Sequence, residues 1–207
     1  MAKLKAPLLS LGASGAIGKA IVYFNWKGLD VAREYVIPSN PKSASQVTQR
    51  GYLHSAVDQI HAAMSAAANP LISIDKSAYS LWASALGITM TWFNTAIKEL
   101  VDKYRIVIYG AVFRGATLVH VSGQVTITLY SDEIILGHIT AGNFKYGTSK
   151  TALLSTSAAV IDLATNKASK AIAGLTNGTQ YFFQFVATAD PTSLNTKSGI
   201  YHDTPHA

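Results

Sequence analysis

Residues 170–187, KAIAGLTNGTQYFFQFVA, decide the fold of the C-terminal half of this chain. Two β-rich stretches, 168–172 and 181–188, flank a turn at Asn177 and Gly178, residue types that favour tight reversals. More short β-rich stretches surround this pair, separated by Gly, Asn, Ser and Asp turns. Strands at such spacing predict an antiparallel β-sandwich. The other predicted strands are 106–112, 117–121, 125–130, 134–139, 143–146, 159–163 and 199–202.

Before residue 105 the hydrophobic period is that of helices. Ser43 followed by Gln46 is a capping-box pattern, and it predicts a helix over 44–68 that Asn69-Pro70 ends. Its apolar stripe is Leu53, Val57, Ile60 and Met64.

Two further helices follow. Asp75 is the expected N-cap of the second, which ends near Gly87. The third begins near Thr91 and pairs Glu99 with Lys103 one turn later.

The first elements of the chain read as a β-hairpin. The stretches 20–24 and 31–37 are β-branched and aromatic, and the turn lies at 27–30. The predicted fold class is therefore α+β, in which a hairpin and a three-helix unit precede the antiparallel sandwich. The change of period predicts two domains, 1–104 and 105–207, of which the second is expected to fold alone.

Composition excludes several classes of protein. The 207 residues are 49% hydrophobic and 14% charged and contain no cysteine, which excludes disulfide scaffolds, thiolate metal sites and thiol nucleophiles. The net charge is +6, but the cations are scattered, which disfavours nucleic-acid binding. No apolar run reaches the length that crosses a bilayer, and Gly12, Gly15 and Gly18 disfavour a cleaved signal peptide.

Catalytic and cofactor motifs are weak, so we expect no enzymatic activity and no cofactor. The glycine-rich turn at 12–18 is similar to the dinucleotide turn of short-chain dehydrogenases, but a strand rather than a helix is predicted after it. His54, Asp58 and His61 share one helix face and could ligate zinc or iron, although three successive turns place them in a row. A solvated helix face is the competing interpretation.

The C-terminal half resembles a fibronectin type III domain. The resemblance rests on Asn143 to Ser149, which contains YGTS, and on the GL-x-x-GT-x-Y pattern that begins at Gly174. It implies that Tyr181 is the corner tyrosine whose hydroxyl ties the crossover between the sheets. The family's core tryptophan is missing, so Phe144 or Tyr146 is expected to replace it.

The N-terminal half resembles structural proteins of tailed bacteriophages and prophages. The shared pattern comprises a glycine-rich start, an aromatic strand, Lys27-Gly28, Val31-Ala32-Arg33, the segment from Pro38 to Gln46, Arg50, Trp82 and Phe93-Asn94. This resemblance implies a virion component in capsid, neck or tail, present in many copies and contacting other virion proteins. Asn40-Pro41 is expected to fix the corner between hairpin and helix. The expected interaction residues are Leu8, Leu9, Leu11, Arg33, Arg50 and Trp82.

Two further expectations concern partners. The alternative function is a carbohydrate- or host-surface-binding module, which an exposed aromatic near Tyr130, Tyr146 or Tyr201 would favour. Residues 1–18 are expected to form an arm that adds a strand to a neighbouring chain's sheet.

Overall fold

A computed structural model describes residues 2–3, 14–37, 39–40, 42–106, 109–187 and 196–206. The chain divides into two compact units, residues 1–43 and 44–207. The predicted boundary near residue 105 does not coincide with this division, because all three predicted helices fall in the same unit as the sandwich.

The first unit contains a four-stranded antiparallel sheet with the order β1-β4-β3-β2. The central pair is the predicted hairpin, and its two-residue turn at Lys27 and Gly28 has φ values of 51° and 78°. Positive φ at both positions suits the turn that matches strand twist in short hairpins. The strands are β1 Ala2–Lys3, β2 Gly15–Ile17, β3 Ile21–Trp26 and β4 Leu29–Glu34.

The described residues of the N-terminus pair within the chain. Ala2 and Lys3 pair with Ala32 and Val31 of β4. The expected addition of a strand to a neighbouring chain's sheet stays a prediction, and residues 4–13 of that arm lie outside the described residues. Gly15 lies in a strand, and a turn and β3 follow it, so the helix that a dinucleotide turn requires is not there.

The second unit begins with three helices, which agree closely with the sequence. They are α1 Ala44–Ser65, α2 Ser73–Ala85 and α3 Trp92–Tyr104. α1 buries Ala56, Ile60 and Ala63, a stripe spaced as helix packing requires. Of the predicted stripe, Ile60 is buried, whereas Leu53 is 48% and Met64 is 40% exposed.

The caps of the helices differ from expectation at one position. α3 begins near Thr91 as predicted, and the Thr91 hydroxyl caps the helix by accepting the Asn94 N–H at 3.3 Å. Asp75 is not the N-cap of α2 but the third helical residue, and Ile72 occupies the cap. The Asp75 carboxylate instead reaches back to the Ile72 N–H at 2.9 Å.

The remaining chain forms an antiparallel sandwich of two four-stranded sheets, ordered β5-β6-β10-β9 and β12-β11-β7-β8. This order corresponds to the ABED and GFCC′ sheets of immunoglobulin-like domains. The elements are β5 Arg114–Val121, β6 Gln124–Tyr130, α4 Asp132–Ile135, β7 Gly142–Gly147, β8 Ser155–Ala158, β9 Val160–Asp162, β10 Lys167–Ala173, β11 Tyr181–Ala187 and β12 Tyr201–Asp203.

The sandwich core is aromatic. Phe144 on β7 is fully buried and its ring centre lies 5.3 Å from that of Phe185, so Phe144, one of the two aromatics expected in the core, is fully enclosed there. Tyr181 accepts a hydrogen bond from the Thr176 N–H at 3.1 Å across the β10–β11 corner, as a corner tyrosine does.

Two predicted strands are not strands. Residues 134–139 include the end of α4 and a turn, because Ser131 and two acidic residues begin a helix there. In the stretch 106–112, residues 107–108 lie outside the description, Ile106 belongs to a turn and 109–112 are not in a strand. No helix in the described part of the chain is long and apolar enough to span a membrane.

The helices form the second unit together with the sandwich. Phe182 on β11 packs against the helical cluster, whereas Phe183 and Phe185 on the same strand lie in the sandwich core. Val112 and Ile200 also belong to the helical cluster, and Ala78 of α2 belongs to the sandwich cluster. The two clusters therefore interlock through side chains from both sides.

Candidate interaction surfaces

An open apolar groove of about 560 Å³ lies between α1 and α3. Its apolar lining comprises Leu53 from α1, Ile97 and Val101 from α3, and Met90 from the segment before α3. Leu53 is half exposed although it is apolar, because the first three turns of α1 extend beyond the buried stripe that begins at Ala56. Apolar side chains make up most of the surface that lines this groove.

Polar groups surround this apolar surface. Gln46, Gln49 and Asn94 supply amides, and Arg50 and Lys98 supply charge. Lys98 also pairs with Asp102 one turn later, at 2.7 Å. The charged side chains that line the groove are thus both cationic.

The sequence predicts Arg50 as an interaction residue but does not show which residues lie beside it. The structure brings Arg50 and Gln46 of α1 together with Asn94 of α3, although more than forty residues separate the two segments. Trp82, by contrast, is 7% exposed and belongs to the helical core, where its ring lies 6.4 Å from that of Tyr79. Trp82 stabilises the fold and is not available for contacts with partners.

Arg33 lies on β4 of the N-terminal sheet. Its guanidinium sits 5.3 Å from the centre of the Phe24 ring, a cation–π arrangement on an exposed surface. Trp26 and Leu29, which pair across the hairpin, are 43% and 45% exposed. Leu8, Leu9, Leu11 and Pro41 lie outside the described residues, and Asn40 lies in the irregular segment after β4.

The second unit contains a buried carboxylate that joins three elements. Asp75 is fully buried, and its two oxygens accept four hydrogen bonds. The donors are Ile72 N–H at 2.9 Å, Gly115 N–H at 2.9 Å, Ala116 N–H at 3.2 Å and Tyr201 hydroxyl at 3.0 Å. Burial raises the pKa of Asp75, and these hydrogen bonds oppose that rise.

A β-bulge makes this arrangement possible. The register between β5 and β6 shifts between Arg114 and Thr117, which turns the Gly115 and Ala116 amides away from the ladder and toward Asp75. Gly115 has a φ of 61°, which glycine adopts without strain. Asp75 is thus part of the structural joint between helix and sandwich.

The histidine and aspartate set on α1 does not form a metal site. His54 and Asp58 pair at 3.3 Å on the exposed surface, and the His61 ring lies 6.1 Å from that of Phe93. Within the described ranges, no group of three His, Cys, Asp or Glu side chains is arranged to hold a metal ion.

Two histidine contacts were not foreseen from sequence. His120 lies 3.2 Å from the Asp203 carboxylate, and its ring is 3.9 Å from that of His206. His138 bonds Glu133 at 2.6 Å. The first contact joins residues more than eighty positions apart, so no local pattern reports it.

A second groove, of about 650 Å³, lies along α2. Exposed Ser73, Ser77 and Ser80 share one helix face, opposite Trp92, and the Lys76 ammonium sits 5.3 Å from the Trp92 ring centre. Of the aromatics expected near a glycan site, Tyr201 is buried, Tyr146 packs against the core, and Tyr130 lines a different cavity with Arg114 and Asp132.

Comparison with known proteins adds little to this geometry. No family model matches the sequence, and no curated protein matches it either. Among solved structures, the fn3 domain of human contactin 1 is similar at a TM-score of 0.35 and 11% identity, covering 47% of this chain and 77% of that one. The strand order, rather than this similarity, defines the class: an immunoglobulin-like β-sandwich joined to three helices.

Proposed function

We propose that this chain is a non-enzymatic structural protein of a phage virion that acts through contacts with other virion proteins. The observation that carries the proposal is the convergence of Gln46, Arg50 and Asn94 on the groove between α1 and α3. These residues belong to the pattern that resembles phage structural proteins. All three of these side chains are exposed, so they are accessible to a partner.

The physical character of the groove suits a protein contact. An apolar centre surrounded by amides and cationic groups is the usual composition of a protein interface, in which buried apolar anchors supply affinity and the rim supplies specificity. The exposed apolar side chains of the N-terminal sheet add a second such surface. We place the protein in the virion on these grounds, in capsid, neck or tail, in several copies.

The test is co-purification with particles. Particles released from the organism that encodes the chain, after prophage induction, are separated on a density gradient and quantified by mass spectrometry. We expect the chain at a constant ratio to the major particle protein across the particle peak. Recovery of the chain only in the soluble fractions would overturn the proposal.

The groove along α2 favours a second candidate, a module that binds carbohydrate on a host surface. The groove contains groups that can recognise carbohydrate: the hydroxyls of three serines and the Trp92 ring for a sugar, and the Lys76 ammonium for an acidic substituent. Binding of the purified chain to a panel of immobilised polysaccharides tests this candidate. Ser77→Leu should abolish such binding, Ser45→Leu, on the exposed start of α1, is the matched control, and no binding at all would remove the candidate.

A further inference from the structure

We infer that the groove between α1 and α3 binds one amphipathic helix of a different protein, with acidic residues beside its apolar stripe. The inference rests on the proposed function and specifies the partner for that surface. It follows from the dimensions of the groove, from its charge, and from the acidic residues that this chain has available.

The dimensions fit a helix. The groove extends from Gln46 to Leu53 on one side and from Asn94 to Val101 on the other, and each of these spans is about 10 Å along a helix axis. Two helical walls of this length accommodate side chains spaced at i, i+3 or i+4, and i+7, which is how grooves bind amphipathic helices. Leu53, Ile97 and Val101 would contact that stripe.

The charge selects an acidic partner. Arg50 and Lys98 are the only charged side chains that line the groove in the described part of the chain, and both are cationic. The ion pair of Lys98 with Asp102 is about half exposed, so it contributes little stability, and Lys98 can bond a second carboxylate. Electrostatic complementarity therefore favours Glu or Asp on the partner and disfavours Lys or Arg.

A second copy of this chain fits poorly. Among the described helices, Asp75 is buried and Glu99 is largely buried beside Lys103. Asp102 of α3 already pairs with Lys98, and the acidic residues of α4 pair with Arg114 and His138. α1 offers a single acidic residue, Asp58. The net charge of +6 also makes two copies repel each other.

The test uses the full chain and three labelled peptides of about five helical turns. One carries a leucine stripe flanked by Glu, the second has Lys in place of each Glu, and the third is a scramble of the first without a stripe. Fluorescence anisotropy should show the first peptide binding at least tenfold more tightly than the other two. Leu53→Asp and Ile97→Asp should each weaken that binding at least tenfold, whereas Leu154→Asp, at a site 87% exposed and outside the groove, should not.

Each result has a defined meaning. Arg50→Glu should reverse the preference between the Glu and Lys peptides while the far-ultraviolet circular dichroism stays unchanged. Equal binding of the Glu and Lys peptides, no binding of either, or concentration-dependent dimerisation that Leu53→Asp abolishes would each overturn the inference. If the chain co-purifies with particles but binds no peptide, the inference fails alone; if it binds the Glu peptide but is absent from particles, the proposed function fails alone.

Discussion

Tyr201 donates its hydroxyl hydrogen to the Asp75 carboxylate at 3.0 Å, which links the last strand of the sandwich to the second helix across 126 residues. Asp75 also accepts hydrogen bonds from two backbone amides of β5, so one buried carboxylate holds α2, β5 and β12 together. Bonds of this kind make the helices and the sandwich one cooperative structure.

Asp75→Asn should destabilise the protein strongly. Each carboxylate oxygen of Asp75 accepts two hydrogen bonds. In asparagine an NH₂ group replaces one of these oxygens, and because NH₂ is itself a donor, the two groups that donated to that oxygen lose their acceptor. We expect a loss of about 3 kcal/mol in the free energy of unfolding, measured by urea denaturation, and about 1 kcal/mol for Tyr201→Phe. A loss for Asp75→Asn no larger than that for Tyr201→Phe would contradict this account.

A fragment of residues 105–207 should not unfold cooperatively, whereas residues 44–207 should. This prediction differs from the sequence-based expectation that residues 105–207 fold alone. Gly199 approaches α2 so closely that a Cβ there would lie 2.6 Å from the Ala78 carbonyl carbon, and the Ile200 N–H donates to Ala78. Removing the helices leaves these groups and the Phe182 side chain exposed. Calorimetry of both fragments tests this prediction. A cooperative unfolding transition in the fragment 105–207 would contradict it.

Tyr181→Phe should cost on the order of 1 kcal/mol, because it removes the hydroxyl that accepts the Thr176 N–H at the corner between sheets. Tyr146→Phe is the matched control, since Tyr146 stacks on Phe183 and its hydroxyl forms no hydrogen bond to the described residues. Equal effects of the two substitutions in chemical denaturation would show that the corner bond contributes nothing.

Stability should fall as the pH rises past 10. Burial raises the pKa of Tyr79 and of Tyr201 above the ordinary value of 10.0, so both phenols keep their protons in the folded state at pH values where the unfolded chain has lost them. The unfolded state then binds fewer protons than the folded state. Each phenol therefore lowers the free energy of unfolding by about 1.4 kcal/mol for each pH unit. Tyrosinate absorbance should therefore rise together with loss of circular dichroism, and Tyr201→Phe should reduce the slope. Ionisation of both phenols before unfolding would refute this.

Local patterns predicted the local features of this fold. The start of α3 near Thr91, the hairpin turn within residues 27–30 and the bond at the Tyr181 corner each depend on residues a few positions apart, and the structure has all three. Asp75 was misassigned because three of its four donors, on Gly115, Ala116 and Tyr201, come from strands 40 or more residues away.

The candidate site was only partly predictable for the same reason. Arg50 was selected as an interaction residue, but the groove exists only because α3 packs beside α1. Trp82 is predicted as an interaction residue but is buried, because a single aromatic residue in the sequence does not show which face of its helix packs against the core. The contact between His120 and Asp203 depends on strands β5 and β12 ending close together.

Photo-crosslinking inside intact particles tests the central claim most directly. A photoreactive residue is placed at Leu53, in the groove, or at Leu154, which is exposed elsewhere, and purified particles are irradiated. We predict that position 53 crosslinks to one other virion protein at a peptide rich in Glu or Asp, and that position 154 does not crosslink to that peptide. Particles that contain the chain but give no crosslink from position 53 would contradict the claim that this groove is the contact surface.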